Sequence, residues 1–220
     1  MTPLVLLALT FTPDHGPAIK WETKSFVLAG KYDIQGTYPR LEGNSLATLA
    51  SKDLRAETIK RLTAFKHDAE ANSAPEDGKF SVTLHSTAYL AQSRLISVLA
   101  TAEYYTGGAH GNLDYATFNY ANTHGKPKKI QLQDILIGGG NPEDVASRWI
   151  IPKLKKLHAS SVENGSITKL TREQASQFVI AKKGLTWMFA PDEMASHAEG
   201  AFTVLIPWSG LRGKISALIP

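Results

Sequence analysis

The 220 residues are 43% hydrophobic and 20% charged and include no cysteine, which excludes a disordered chain, a disulfide-stapled miniprotein and a thiolate zinc site. The 24 Lys and Arg against 20 Asp and Glu leave a formal charge of +4. That is too diffuse to point to nucleic acid, whose recognition needs positive charge gathered on one face. The length fits one large domain or two small ones, since single cores hold about 100–200 residues.

Residues 1–17 read as a shortened or misassigned signal segment: the apolar run from Leu4 to Leu9 precedes Phe11 and the turn-like Pro13-Asp14-His15-Gly16-Pro17, but no basic n-region stands before it. The alternative is an N-terminal strand. No later stretch approaches the roughly 18 apolar residues of a membrane span, so no transmembrane segment is expected. Without Cys there is no lipidated-cysteine anchor.

Residues 21–40 alternate as two extended segments broken at Gly30, with Pro39 and Gly43 closing the second. Asn44 or Ser45 then caps a helix reaching about Ala71, on which Leu46, Leu49, Ile59, Leu62, Phe65 and Ala69 recur at threes and fours. A loop over 72–78 leads to an alternating strand with Phe80, Val82 and Leu84 inward. Residues 95–105 are apolar on both faces, with Ile96, Val98, Ala100, Ala102 and Tyr104 opposite Leu99, and predict a central strand. Residues 115–120 form its hairpin partner across the glycine-bearing loop 106–112.

Asn141, Pro142, Glu143 and Asp144 read as a helix start rather than a phosphate loop, because the lysine and hydroxyl of a P-loop are missing. That helix carries Val145, Trp149 and Ile150 inward, is expected to kink or divide at Pro152 before Leu154 and Leu157, and solvates Lys153, Lys155 and Lys156. Thr171 and Gln174 form a capping box for a short helix ending near Gln177. Residues 178–180 and 185–189 flank a four-residue hairpin loop, 181–184. A last strand holds Phe202, Val204 and Ile206, and Ser209 caps a final helix with Leu211, Ile215 and Leu218 on one face. Strands mixed with unequal helices, without βαβ alternation, indicate α+β: mixed, largely antiparallel sheets with a few packed helices.

Seven histidines are scattered at 15, 67, 85, 110, 124, 158 and 197, none paired at i, i+4, so no metal site is expected. His197-Ala198-Glu199 lacks the Pro-Cys-x-x-Cys of zinc deaminases. Ser209 reads as a cap rather than a nucleophile, and no catalytic motif is complete. The most distinctive feature is the loop from Tyr104 to Asn112, whose glycines let the backbone turn sharply and approach a partner closely. Its candidate binding residues are Tyr105, Gly107, Gly108, His110 and Asn112. His110 either holds the loop backbone or acts on a ligand. Lys126-Pro127-Lys128-Lys129 and Lys182-Lys183 read as solvated turn and edge residues.

The run Tyr105-Thr106-Gly107-Gly108-Ala109-His110-Gly111, then Gly125-Lys126-Pro127 and Ile130-Gln131-Leu132-Gln133-Asp134-Ile135-Leu136, resembles the C-terminal module of the RsiV-type extracytoplasmic domains. The run Trp187-Met188-Phe189-Ala190-Pro191-Asp192-Glu193-Met194-Ala195, then Ala198-Glu199-Gly200 and Val204-Leu205-Ile206-Pro207-Trp208, extends the likeness. The strand from Tyr32 to Pro39 with its helix resembles the preceding module, shared by the anti-sigma factor RsiV and the peptidoglycan deacetylase PdaC. The resemblance covers about residues 19–219 and divides the chain into an N-terminal strand-helix-strand module, 18–90, and a C-terminal Gly-Gly-Ala-His-Gly module, 91–220, packed as one unit. It implies an exported protein, periplasmic or extracellular, that works without cofactors or catalysis as a cell-envelope binding module. The implied partner is a lysozyme-like protein or peptidoglycan. The alternative is a hydrolase with a site around His110. Lysozyme is strongly basic and so is this chain, which slows encounter; Asp192, Glu193 and Glu199 are the candidate acidic patch.

Overall fold

The computed structural model describes residues 16–76 and 78–216; of the predicted signal segment only Gly16 and Pro17 fall among them, and the rest lies outside the described residues. The alternating N-terminal stretch forms β1 (Ala18–Leu28) and β2 (Tyr32–Glu42), antiparallel from Ala18↔Glu42 to Leu28↔Tyr32. Gly30 supplies the positive φ of 72° where the chain reverses. Pro39 does not close β2 as expected: the strand runs on to Glu42. Past Gly36 β2 has only β1 as a neighbour, and a strand with one open side accepts a residue that lacks an N–H.

Helix α1 (Ser45–Ala71) starts at Asn44, whose Oδ1 accepts from the Ala47 N–H at 2.9 Å while its Nδ2 donates to the Ser93 carbonyl at 2.8 Å. The helix is the crossover between β2 and its parallel neighbour β3 (Phe80–Ala91). Its buried face, Leu46, Ala47, Ala50, Leu54, Thr58, Leu62 and Ala69, covers one side of the sheet. Each buried leucine there contributes on the order of 1.5–3 kcal/mol. Gly36 sets the spacing, for a Cβ at that position would lie 2.9 Å from Leu62 Cδ1 and 3.1 Å from Thr58 Cγ2.

The sheet continues through β4 (Leu95–Tyr105), β5 (Asn112–Thr123) and β6 (Lys126–Lys129), in the order β1-β2-β3-β4-β5-β6. Strand β4 is central, as its two-sided apolar pattern requires: Ile96, Val98, Ala100 and Ala102 meet α1's side, and Leu99 meets the other. On that other side lie α2 (Leu132–Ile135), α3 (Pro142–Lys156), α4 (Ser160–Glu163), α5 (Arg172–Ser176) and a second, antiparallel sheet of β7 (Phe178–Ala181), β8 (Gly184–Phe189) and β9 (Phe202–Pro207). The fold is α+β. Among the described residues no helix is long and apolar enough to cross a membrane.

A buried polar triad joins the two sheets. The Ser97 hydroxyl donates to Asn119 Oδ1 at 2.6 Å, Asn119 Nδ2 donates to the Phe178 carbonyl at 2.8 Å, and the Ile180 N–H donates back to Ser97 Oγ at 2.8 Å. Trp187, wholly buried, packs on Phe178 and Trp149 and donates its indole N–H to the Ala175 carbonyl. The capping box of Thr171 and Gln174 forms in full.

Three further local expectations change. The β7-β8 loop has two residues rather than four, because Ala181 and Gly184 pair. Pro152 does not divide α3: the helix continues past it to Lys156, and Pro152 and Leu157 are exposed. A proline costs its helix one backbone hydrogen bond, a loss more easily borne where the ring faces water. The final helix, α6 (Trp208–Leu211), is a single turn with no side-chain cap from Ser209. Ile215 instead makes an isolated antiparallel bridge to Leu136; Leu218 lies outside the described residues.

Candidate functional site

Because side chains alternate along a strand, the pairs Ser81↔Tyr105, Thr83↔Glu103 and Glu103↔Leu113 place five residues on the sheet face away from α1. Over them rises the segment that follows β8. Met194 and Ala195 bury into the core, and Glu193 ties the segment down by accepting from the Ala190 N–H at 3.0 Å and Gln177 Nε2 at 3.2 Å. Burial pushes the Glu193 carboxyl above the ordinary carboxylate range, although both hydrogen bonds oppose the shift. Asp192 takes a left-handed φ of 70°, and its Oδ2 meets His197 Nδ1 at 2.9 Å. The short 3-10 turn His197–Glu199 is capped by Ser196.

The result is an open cleft of about 460 Å³ lined by the sheet residues and by Tyr104, Gly111, Asn112, Pro191 and His197. Tyr105 and Asn112 are in its wall. Gly107 and Gly108, with φ of 102° and 100°, shape the hairpin loop beside it, and the Tyr105 hydroxyl donates to the Gly108 carbonyl at 3.0 Å. His110 holds the Gly111 carbonyl through Nδ1 at 3.0 Å and also stacks on His197, ring centroids 3.9 Å apart and planes 25° apart. The loop histidine therefore has both a backbone partner and a side-chain one, and the second is 87 positions away in the sequence. No local spacing could have paired them.

Ser81, Thr83, Glu103, Leu113, Pro191 and His197 line the cleft although the sequence did not single them out as site residues. The three carboxylates of the candidate acidic patch stand differently: Asp192 and Glu199 are exposed, and Glu193 is half-buried. Glu193 is turned inward, Asp192 is matched to His197, and Glu199 accepts from the Ser160 and Ser196 hydroxyls at 2.6 and 2.9 Å. Those bonds hold the Glu199 carboxyl below the ordinary range. Among the described residues no cluster of three or more His, Asp or Glu is placed to hold a metal ion. The arrangement offers hydrogen-bond donors and acceptors, two stacked imidazoles and one carboxylate-oriented histidine.

The cleft also spans two sequence families. Residues 29–113, which supply its floor and the glycine loop, match the family described as deacetylase PdaC, and residues 133–209, which supply Asp192 and His197, match the family described as protein of unknown function (DUF3298). A solved DUF3298 family protein from Pseudomonas aeruginosa is 15% identical, with a TM-score of 0.63 over 95% of this chain and 98% of that one. A second, from Bacteroides fragilis, is 15% identical, with a TM-score of 0.61 over 93% and 96%. At that identity the likeness shows a shared fold. No curated protein matches the chain. Within residues 133–209, β8 and the segment after it carry one wall of the cleft; the other belongs to the β4-β5 hairpin.

Proposed function

We propose that the protein is an exported, non-catalytic binding module of the bacterial cell envelope, and that it holds a protein segment or glycan chain in the cleft between the β4-β5 hairpin and His197. The observation that carries this reading is the cleft's composition. Ser81, Thr83, Glu103 and Asn112 offer hydrogen bonds over an open floor, and Tyr105 and the stacked imidazoles offer flat faces to a sugar ring or peptide. Among the described residues His197 meets Asp192 and His110, and neither imidazole hydrogen-bonds a hydroxyl that it could activate. Titration of the purified chain with lysozyme and with soluble peptidoglycan fragments tests the reading. Binding that Tyr105→Ala and His197→Ala each weaken is expected; binding by neither ligand, or binding indifferent to both substitutions, overturns it.

The Asp192–His197 pair favours a second reading, a hydrolase in which the oriented imidazole activates water. Its site centres on His197 rather than on His110 alone. Envelope glycan cleavage or deacylation abolished by His197→Ala would establish it, and turnover unaffected by that change would end it.

A further inference from the structure

On the other side of the sheet a second cleft, of about 600 Å³, opens between β1, β2 and α1; Tyr38, Pro39 and Ile59 give it an apolar floor. Its volume falls within the roughly 300–1,000 Å³ of small-ligand sites. It is firmly built: the Ser51 hydroxyl donates to the Leu41 carbonyl at 3.0 Å and accepts from the Leu41 N–H at 2.7 Å, pinning α1 to β2. Across the cleft, the Arg40 guanidinium is shared between Glu22 at 3.5 Å and Glu42 at 3.2 Å, and Lys20 also holds Glu42 at 2.8 Å. Both carboxylates near the mouth are thus already matched by cations.

The cations of α1 divide into two groups. Lys60 and Arg61 pair with Glu57, Arg61 reaches Asp114 as well, and Lys66 pairs with Glu70. Lys52 and Arg55, one turn apart and so on the same helix face, make no ion pair or side-chain hydrogen bond among the described residues, and both line the cleft. The two unmatched cations of the helix therefore stand together above an apolar floor.

We propose that this cleft binds a carboxylate-bearing saccharide. Arg55 presents a planar fork suited to a carboxylate, and Lys52 adds a point charge beside it. The Tyr38, Pro39 and Ile59 surface takes the C–H face of the sugar ring. A phosphate polymer fits less well, because among the described residues lining the cleft only Lys52 and Arg55 are unmatched cations and Glu22 stands opposite them. The site is separate from the His197 cleft, and the inference does not depend on the function proposed for that cleft.

The test is titration of the full chain with oligogalacturonate at low salt, followed by amide chemical shifts and calorimetry, beside the methyl-esterified oligomer and inorganic phosphate. The acid should bind, with shifts centred on residues 38–40 and 51–59. Esterification, Lys52→Ala and Arg55→Ala should each weaken binding roughly tenfold, Arg55→Lys should restore little of the loss, and His197→Ala should leave it unchanged. Absence of binding, equal binding of the ester, equal binding of inorganic phosphate, or wild-type affinity in both alanine variants would overturn the proposal. Both side chains are exposed, so the variants should fold.

Discussion

Replacing Ser97 by alanine removes one oxygen and strands two polar groups. The Ile180 N–H loses its acceptor at 2.8 Å, and Asn119 Oδ1 loses its donor at 2.6 Å. Ser97, Asn119 and Ile180 are 0%, 3% and 0% exposed, so water does not readily replace either bond. A buried group left unpaired costs about 1–3 kcal/mol, so Ser97→Ala should destabilise the protein by about 2–4 kcal/mol. Asn119→Ala should cost at least as much, since it also frees the Phe178 carbonyl and leaves a cavity. The double variant should cost less than the two singles together, by about 1 kcal/mol, because each single change already breaks the Ser97–Asn119 bond. Urea unfolding followed by Trp fluorescence reads these values, Trp187 lying against Phe178. A loss below about 0.5 kcal/mol for Ser97→Ala would show that the triad does not hold the sheets together.

Four other outcomes follow from local geometry. Gly184→Ala would drive a Cβ into the Ile206 carbonyl oxygen, and it should cost more than about 3 kcal/mol or prevent folding; soluble expression with a wild-type urea midpoint would contradict this. Gly36→Ala meets side-chain atoms of Leu62 and Thr58 instead of backbone, and should cost about 1–3 kcal/mol, recovered in part by Leu62→Val. The raised Glu193 carboxyl means that the folded state binds its proton more tightly than the unfolded chain. Stability is then greatest below the ordinary carboxylate range and declines as pH rises through the folded value; Glu193→Gln should flatten that decline in a pH series of urea midpoints, and an unchanged slope would rule it out. Glu199 has the opposite sign: its lowered value gives stability that is present above the ordinary range and lost as pH falls through the folded value. Ser160→Ala should weaken that acid-side loss, and an identical acid limb would contradict the assignment.

Much of the framework was legible because local physical signals agreed. Asn44, Asn141 and the Thr171–Gln174 box mark helix starts by satisfying orphan N–H groups in place, and the two-sided burial of residues 95–102 marks the central strand. The misreadings came from tertiary context. Pro39 survives in β2 because the pairing with β3 stops at Gly36, and Ile215 leaves a helical pattern to meet Leu136. The site was legible by half. The glycine loop signals a backbone approach, but the histidine stacked on His110 and the aspartate behind it arrive from a distant segment positioned by burial of Met194. Glu193 looked like surface charge because composition carries no record of which way a carboxylate turns.

In the large sheet every hydrogen-bonded neighbour is also the next strand in the chain. Only the link through α1 closes a long loop; the others are short turns with a small entropic cost. The sheet can therefore grow strand by strand as far as Lys129 before any residue of the small sheet β7-β8-β9 is needed. Until β7 arrives, the face that will receive it carries Ser97 and Asn119 at its centre. Both are polar side chains that water satisfies while they wait and that β7 satisfies once it docks. An all-apolar face of that size would leave the half-built sheet with a surface open to any passing chain.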